Sequence, residues 1–413
     1  MPRNPFRSVV VDFRLALRNI TRQRRRSFIA ILAIGFGVIA MMLAAGFIEW
    51  ILWANREGMA VTQFGHIQIV KPGYHEDGKA DPFTYLLPRQ SPALSAIQAQ
   101  PGVNSVTPRL DFNGLISHGD STVSFVGQGI DPARDPALRY LIVTEGQQLA
   151  ADDPRGIHVG AGLAANLGVR VGDTVVLLTS TRTGGLGAIE THVRGLVSTS
   201  MKALDDSMLR VPIDLARQVL RAPGAHVWVV SLADTDMTEV VLKRLIEDAA
   251  LASYEISPWT KLADFYNKTA ELFNRQINVV KLIIAVIIVL SITNTMTMSV
   301  MERTVEIGTA MALGVRRMRI LGLFLLEGIL LGSIAGACGT VIGYLTATGI
   351  SAVGIPMPPA PGMSRGFTAS ILITPRIAWE ALTLAVAATL LASIYPAWRA
   401  SRLVVVDALR HNR

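Results

Sequence analysis

The side chains best able to do chemistry are spread thinly along this chain. His66, His75, His118, His158, His192 and His226 stand singly on separate predicted elements. A metal centre or an acid–base pair needs two or more such groups at fixed spacing. His75-Glu76 has no second histidine at i+4, which a helical zinc site requires so that both imidazoles share one face. Asp152-Asp153 and Asp205-Asp206 read as turn acids. The sequence contains no G-x-S-x-G nucleophile elbow and no G-x-x-x-x-G-K-[ST], the loop whose backbone amides cradle nucleotide phosphates. Gly160-Ala161-Gly162 lacks the third glycine of a dinucleotide fingerprint and reads as a strand-to-helix turn. The single cysteine, Cys338, cannot build a cysteine cluster within one chain and reads as a small packing residue between Gly336 and Gly339. No catalytic, metal or cofactor site is expected.

Two carboxylates stand out by their surroundings. Glu327 and Glu380 interrupt long apolar runs, where an ionised group is expensive if lipid faces it. Glu327 is expected to reach the interface or to pair with Arg319, and Glu380 to sit near the interface with Arg376. The runs around them explain the composition: half of the 413 residues are hydrophobic and only 17% are charged, against about 25% in soluble proteins. Ser27–Ile48 is 22 residues without a charge, roughly 33 Å as a helix and about one hydrocarbon core. Leu282–Met301 is a second such run, 320–364 carries only Glu327, and Ala381–Trp398 is uncharged. The fold class is therefore membrane α-helical, with four transmembrane helices and a large α+β periplasmic domain inserted between the first and the second.

Charge assigns the sides. Residues 1–26 hold eight arginines against Asp12 alone. Arg303, Arg316, Arg317 and Arg319 follow the second span, Arg399, Arg402, Arg410 and Arg413 follow the fourth, and the 350–375 loop has only Arg365. Short basic flanks stay in the cytoplasm, which places both termini inside and the large domain outside. Residues 55–265 carry 18 basic and 23 acidic residues, a balance of −5, so the other segments carry +13 of the chain's net +8. The basic excess belongs to the membrane's inner face, and nucleic acid is excluded as a partner. Arg24-Arg25-Arg26-Ser27-Phe28 mimics a secretory or twin-arginine signal, but the apolar run after it is too long for one, and retention as a span is expected.

The expected organisation is a cytoplasmic amphipathic segment over 1–26, the first span with a stalk over 27–54, and an external domain over 55–263. Stalk and second span follow over 264–301, a cytoplasmic connector over 302–318, the third span over 319–349, an external loop over 350–375, the fourth span over 376–398 and a tail over 399–413. Within the external domain, alternation predicts strands at 66–70, 102–109, 122–126, 174–178, 194–197, 208–211 and 227–232. Helices are predicted at 92–100, 161–167, 213–220 and 237–252. Asp236 with Glu239 has the spacing of a capping box for the last of these. A subdomain over about 115–205 is expected as an insert. The domain has no cysteine, so it folds without disulfides even in an oxidising compartment.

The connector is the segment richest in information. Glu302-Arg303-Thr304-Val305-Glu306-Ile307-Gly308 continues through Met311-Ala312-Leu313-Gly314 to Arg316-Arg317. It is short, amphipathic and mixed in charge, suited equally to docking in a groove of a soluble partner or to resting on lipid. In the spans, Gly332-x3-Gly336 and Gly339-x3-Gly343 are small-x3-small pairs that permit close helix approach.

The run 294–317, with its M-E-R-T-x-E-I-G…A-L-G core, resembles the signature of MacB/LolCE/FtsX-type ABC transporter permeases. So do Tyr395-Pro396-Ala397-Trp398-Arg399-Ala400-Ser401-Arg402, Asp407-Ala408-Leu409-Arg410, and Leu17-Arg18-Asn19-Ile20 ahead of Arg24-Arg25-Arg26-Ser27. Pro101-Gly102-Val103…Val106-Thr107-Pro108-Arg109 and Val159-Gly160…Gly168-Val169-Arg170-Val171-Gly172-Asp173-Thr174 are similar to that family's periplasmic core. The likeness covers essentially the whole chain, with its motifs in order.

The resemblance implies a permease that pairs with a second permease, identical or not, and with two cytoplasmic ATPase subunits that bind ATP and Mg. A periplasmic adaptor or lipoprotein carrier and membrane lipid complete the implied partners. The cargo class would be lipoproteins, lipids or other amphiphiles. The coupling helix would comprise Glu302, Arg303, Glu306, Ile307, Gly308, Ala312, Leu313 and Gly314. It would pass motion through stalk helices in which Phe265, Leu272 and Ile277 are spaced for pairing. Two alternatives stay open: a regulatory permease that signals ATPase state to an external hydrolase, and, less favoured by four spans with few intramembrane charges, a secondary transporter.

Overall fold

The computed structural model describes residues 5–22, 24–78, 80–199, 201–359 and 366–403. Arg3, Arg365, Arg413 and the tail motif Asp407–Arg410 fall outside them. The chain divides into two compact units, one of Met1–Leu52, Thr269–Pro356 and Thr368–Arg413, the other of Trp53–Lys268 and Met357–Phe367.

In the first unit, uncharged runs of about 20 residues grow into longer helices because their polar flanks contain no breaker. Four helices among the described residues are long and apolar enough to cross a membrane: Arg24–Phe64, Asp264–Glu302, Arg317–Val353 and Pro375–Ser401. An amphipathic helix, Pro5–Arg22, precedes the first. Large residues from the first two spans, Ile34, Val38 and Met41 with Ile284, Ile288 and Ile292, meet small ones from the fourth: Ala381, Ala385, Ala388 and Ala392. The third span supplies the closest approaches. Gly328, Gly332 and Gly336 abut Ser393, Thr389 and Leu382 of the fourth, and a Cβ at Gly332 would collide with the Thr389 hydroxyl. One turn further on, Gly339 and Gly343 face the first span instead. A Cβ at Gly339 would lie 3.0 Å from Val38 Cβ and 3.1 Å from Gly35 Cα. The two small-x3-small pairs thus serve different neighbours.

One expectation about this unit needs correcting. Cys338 is exposed and not a packing residue. It lies two residues from Gly336, and two residues turn a helix through about 200°, so it points away from the face that Gly336 buries. Glu380 takes Lys281 of the second span at 2.6 Å as well as the expected Arg376 at 2.9 Å.

The second unit is α+β. Its strands are β1 (Ile67–Val70), β2 (Val103–His118), β3 (Ser121–Ile130), β4 (Ile142–Gly146), β5 (Gly156–Gly160), β6 (Thr174–Ser180), β7 (Leu186–Ser198), β8 (Met208–Pro212), β9 (Val227–Leu232) and β10 (Glu255–Pro258). Pairing runs β10-β1-β9-β2-β3-β8-β5-β7-β4, and β6 bridges β2 and β7. Six strands, β2-β3-β8-β5-β7-β6, therefore close on themselves, which leaves that ring no free edge. Leu110, Ile116, Phe125, Ile157, Val175, Val193 and Leu209 belong to one buried cluster that these strands share. A second core, with Ile67, Ile69, Val106, Trp228 and Val230, packs the helices Pro92–Gln98 and Thr238–Glu247 against the remaining strands.

Instead of an insert bounded near 115 and 205, the long strand β2 belongs to both parts. Residues 103–109 pair with β9, and residues 110–118 pair with β3. At the handover sits a buried ion pair, Arg109 Nε and Nη2 on the two Asp135 oxygens at 2.9 and 3.0 Å. The expected cap at Asp236 is also displaced. Asp234 accepts from Asp236 N at 2.9 Å and opens a 3₁₀ turn, Thr235–Met237, ahead of the helix. The Asp236 carboxylate binds Arg56 instead, at 2.8 Å.

Candidate functional site: the connector between the second and third spans

The second span's helix stops at Glu302 because Arg303 leaves helical geometry, with φ −102° and ψ 15°. One short helix follows, Thr304–Ala312. Gly314 then adopts φ +91°, which a side chain would strain, and Arg316 is extended ahead of the third span. A break, two and a half helical turns and a left-handed glycine produce a compact reversal.

Helical periodicity divides the predicted docking residues into two sets. Ile307 (6% exposed) and Gly308 turn inward, and Ile307 packs with Val300, Ile320, Phe324, Ala397 and Ala400. Both residues were expected on the docking surface. The structure removes them from it, because the short helix needs an apolar face of its own to stay on the bundle. Outward lie Glu302, Glu306, Ala312, Gly314 and above all Leu313, which is 82% exposed.

Charges stitch the connector to its surroundings. Arg26 makes a two-pronged bond to Glu302, at 2.7 and 2.5 Å. Arg22 reaches Glu306 at 3.0 Å. Arg303 lies 3.5 Å from Glu306, donates to Glu327 at 3.4 Å and covers the Phe324 ring at 5.4 Å. Glu327 therefore does not pair with Arg319. It is buried under Arg303, and Arg319 is taken by Asp12 at 2.8 Å. Asn19, Arg22, Glu302, Arg303 and Glu306 line a cavity of about 140 Å³. Exposed pairs such as Arg22–Glu306 contribute about 0–1 kcal/mol, so the Ile307 face holds the helix and the outer pairs can exchange. Arg22 and Arg26 escaped the sequence reading, which counted them only as inner-face charge. The available signal was the matching four-residue period of Arg22/Arg26 and Glu302/Glu306.

The remaining predicted residues fall as follows. Gly332, Gly336, Gly339 and Gly343 sit at the helix contacts described above. Of the residues expected to pair in a stalk, only Ile277 enters a core, beside the first span; Phe265 and Leu272 are 70% and 55% exposed. Among the described residues, no group of three or more His, Cys, Asp or Glu could hold a metal ion. Asp153 is occupied by Arg194 at 2.6 Å and His192 at 3.0 Å, and Asp205 accepts from Ser198 and Thr199.

Two family models match this chain: the FtsX-like permease C-terminal over residues 278–405, and the MacB-like periplasmic core domain over residues 27–247. An uncharacterised ABC transporter permease of Methanocaldococcus jannaschii is 23% identical across 96% of each chain. The macrolide export ATP-binding/permease protein MacB of Acinetobacter baylyi is 25% identical over 80% of this chain and 50% of its own length. The lipoprotein-releasing system transmembrane protein LolC of Neisseria meningitidis is 26% identical over 46% of this chain and 48% of its own. The chain thus spans about half the length of these two bacterial relatives.

Proposed function

This chain belongs to the family of permeases with an FtsX-like C-terminal part and a MacB-like periplasmic core domain, and from that membership we propose that it is the mechanical membrane subunit of an ABC transporter. ATP and Mg are held by two separate ATPase subunits on the cytoplasmic side. A second permease, identical or not, completes the membrane part. The connector Thr304–Ala312 receives the stroke, and the α+β unit moves outside. Excess arginine at 14–26, 303–319 and 399–402 supports a cytoplasmic connector in the bacterial inner membrane. Cargo is proposed to be lipoprotein, lipid or another amphiphile, handed to a periplasmic adaptor or carrier. The relatives named for macrolide export and lipoprotein release support that class.

One observation carries the reading: Leu313, a large apolar side chain, stands 82% exposed at the tip of a connector whose Ile307 is buried at 6%. Leu313→Glu is expected to abolish co-purification of the ATPase while leaving membrane insertion and yield intact. An ATPase that still co-purifies and is still stimulated by the Leu313→Glu permease would refute the docking assignment.

A further inference from the structure

The first span's helix does not end in water. Arg24–Gly58 passes into a π-helical turn, Met59–Phe64, which Gly65 closes at φ +75°. A helix end leaves its last carbonyls without intrahelical donors, and π turns are rare and cluster at functional positions. Here three successive carbonyls are each taken by a side chain from a different strand. Thr62 O accepts from Arg210 Nη2 of β8 at 3.4 Å, Gln63 O from Arg109 Nη1 of β2 at 2.7 Å, and Phe64 O from Gln68 Nε2 of β1 at 2.8 Å. All three donors are buried, Arg109 and Arg210 at 2% and 6% exposure. Arg109 is fixed from behind by Asp135, whose Oδ1 also accepts from Ala137 N at 2.9 Å. On the other flank Glu57 accepts from Thr235 Oγ1 at 2.9 Å, and Thr235 bonds His66 at 3.0 Å.

Three such donors, on three strands and two of them cationic against the negative end of the helix dipole, prevent the turn from rotating or slipping to an α register without stranding buried guanidinium groups. Arg210 is the informative member. Its Nη1 is buried with no partner, and burial together with the neighbouring Arg109 pulls its pKa down to about 10. An arginine buried at such expense contributes little to folding, and its Nη2 is the group that reaches Thr62 O.

We propose that Arg109, Arg210 and Gln68 form a carbonyl clasp that makes the end of the first span's helix and the β-sheet turn as one body, so that they are positioning residues for transmission. The proposal rests on the motor-driven reading above, and its test has two arms, both on the full-length chain in lipid nanodiscs. In the first, deuterium exchange of amides 59–66 is compared between wild type, Arg210→Met and the charge-neutral double variant Arg109→Met/Asp135→Asn. Loss of a charged hydrogen bond should raise local exchange about tenfold, with the other strands unchanged. Unchanged exchange at 59–66, or a rise over the whole domain, overturns the clasp. In the second arm, the co-purified ATPase is present and spin labels sit at Leu186→Cys and Val353→Cys in a Cys338→Ser background. The ATP-dependent change in label distance, referred to measured ATP turnover, should fall at least twofold in Arg210→Met. A full-sized change overturns the positioning role. A wild type whose distance ignores ATP overturns the motor reading itself, and the exchange arm still decides the clasp.

Discussion

The two units pack by different rules. In the membrane unit the closest helix contacts are made by small side chains, Gly332 and Gly336 against Thr389 and Ala385, with Ile34, Met41 and Phe324 buried beside them, while Phe28 and Phe36 face outward. In the α+β unit the largest side chains are interior, with Trp228 and Phe125 fully buried. Buried polar groups differ in degree. Ser393 in the fourth span bonds the Thr389 carbonyl of its own helix at 2.7 Å and Glu327 meets Arg303 through one oxygen at 3.4 Å, whereas Arg109 and Asp135 form a two-pronged ion pair at 2.9 and 3.0 Å. The reason is the solvent. Lipid tails are as apolar as Leu or Phe, so helices in lipid gain from close backbone contact and not from hiding large groups; in water, burying them is the main driving force. A large apolar residue therefore predicts burial in the α+β unit, whereas in the membrane unit it occurs both inside, as Ile34 and Phe324, and outside, as Phe28 and Phe36.

The sharpest way to break this contrast is to remove charge from the α+β core. Arg109→Met leaves Asp135 buried without its partner and should cost about 3–5 kcal/mol, read as the denaturant midpoint of Trp fluorescence in the purified chain. Adding Asp135→Asn should recover most of the loss. A single variant as stable as wild type would mean that this pair is incidental.

Overpacking tests the membrane unit. Gly332→Leu drives a side chain into Thr389 and should cost about 1–3 kcal/mol, lowering the thermal midpoint and the monodisperse fraction in detergent. Gly349 lies in the same helix with nothing near its virtual Cβ, so Gly349→Leu should be neutral. Equal damage from both would show that the glycine contacts are not what holds the spans.

A smaller, pH-dependent effect is expected from His158. It is fully buried, gives Nε2 to the Gln147 carbonyl at 3.0 Å, and has its pKa lowered to about 4 by burial. Between about 6.5 and 4 the unfolded chain binds a proton that the folded chain refuses. Stability should therefore fall as pH drops through that window, by about 1.4 kcal/mol per unit from this group. His158→Gln should flatten the slope of midpoint against pH, and an unaltered slope would assign the dependence to other groups. The smallest effect belongs to Cys338→Ser, which should stay within about 0.5 kcal/mol because the residue packs against nothing critical; a clear loss of thermal stability would return it to the packing surface.

The spans and the position of the connector were legible, while much of the external sheet and the partners within the site were not. β4, β5 and β10 escaped, although they are no shorter than β1 and β8, which were predicted. The second half of β2 escaped because Asp111, Asn113 and Gly114 are poor strand formers, although Leu110, Phe112 and Ile116 alternate inward; β3 and, over residues 115–117, β6 pair with it and hold it as a strand. In the connector, the residue types Glu302, Arg303 and Glu306 were readable as a polar cluster. That Arg303 turns inward to Glu327, and that Ile307 and Gly308 are covered, depends on the third and fourth spans being alongside.

By itself the sequence determined where the chain is apolar enough to span, which flanks are basic, and that a stretch of mixed, α+β-type composition lies between the first two spans. These are sums over neighbouring residues, and transfer free energies add along a run without reference to the rest of the chain. Tertiary structure alone decided which glycine meets which helix, how six strands close into a ring, which carboxylate each arginine takes, and which face of the connector is left over. Each of those is a contest among partners distant in sequence, settled by geometry that no local run of residues contains.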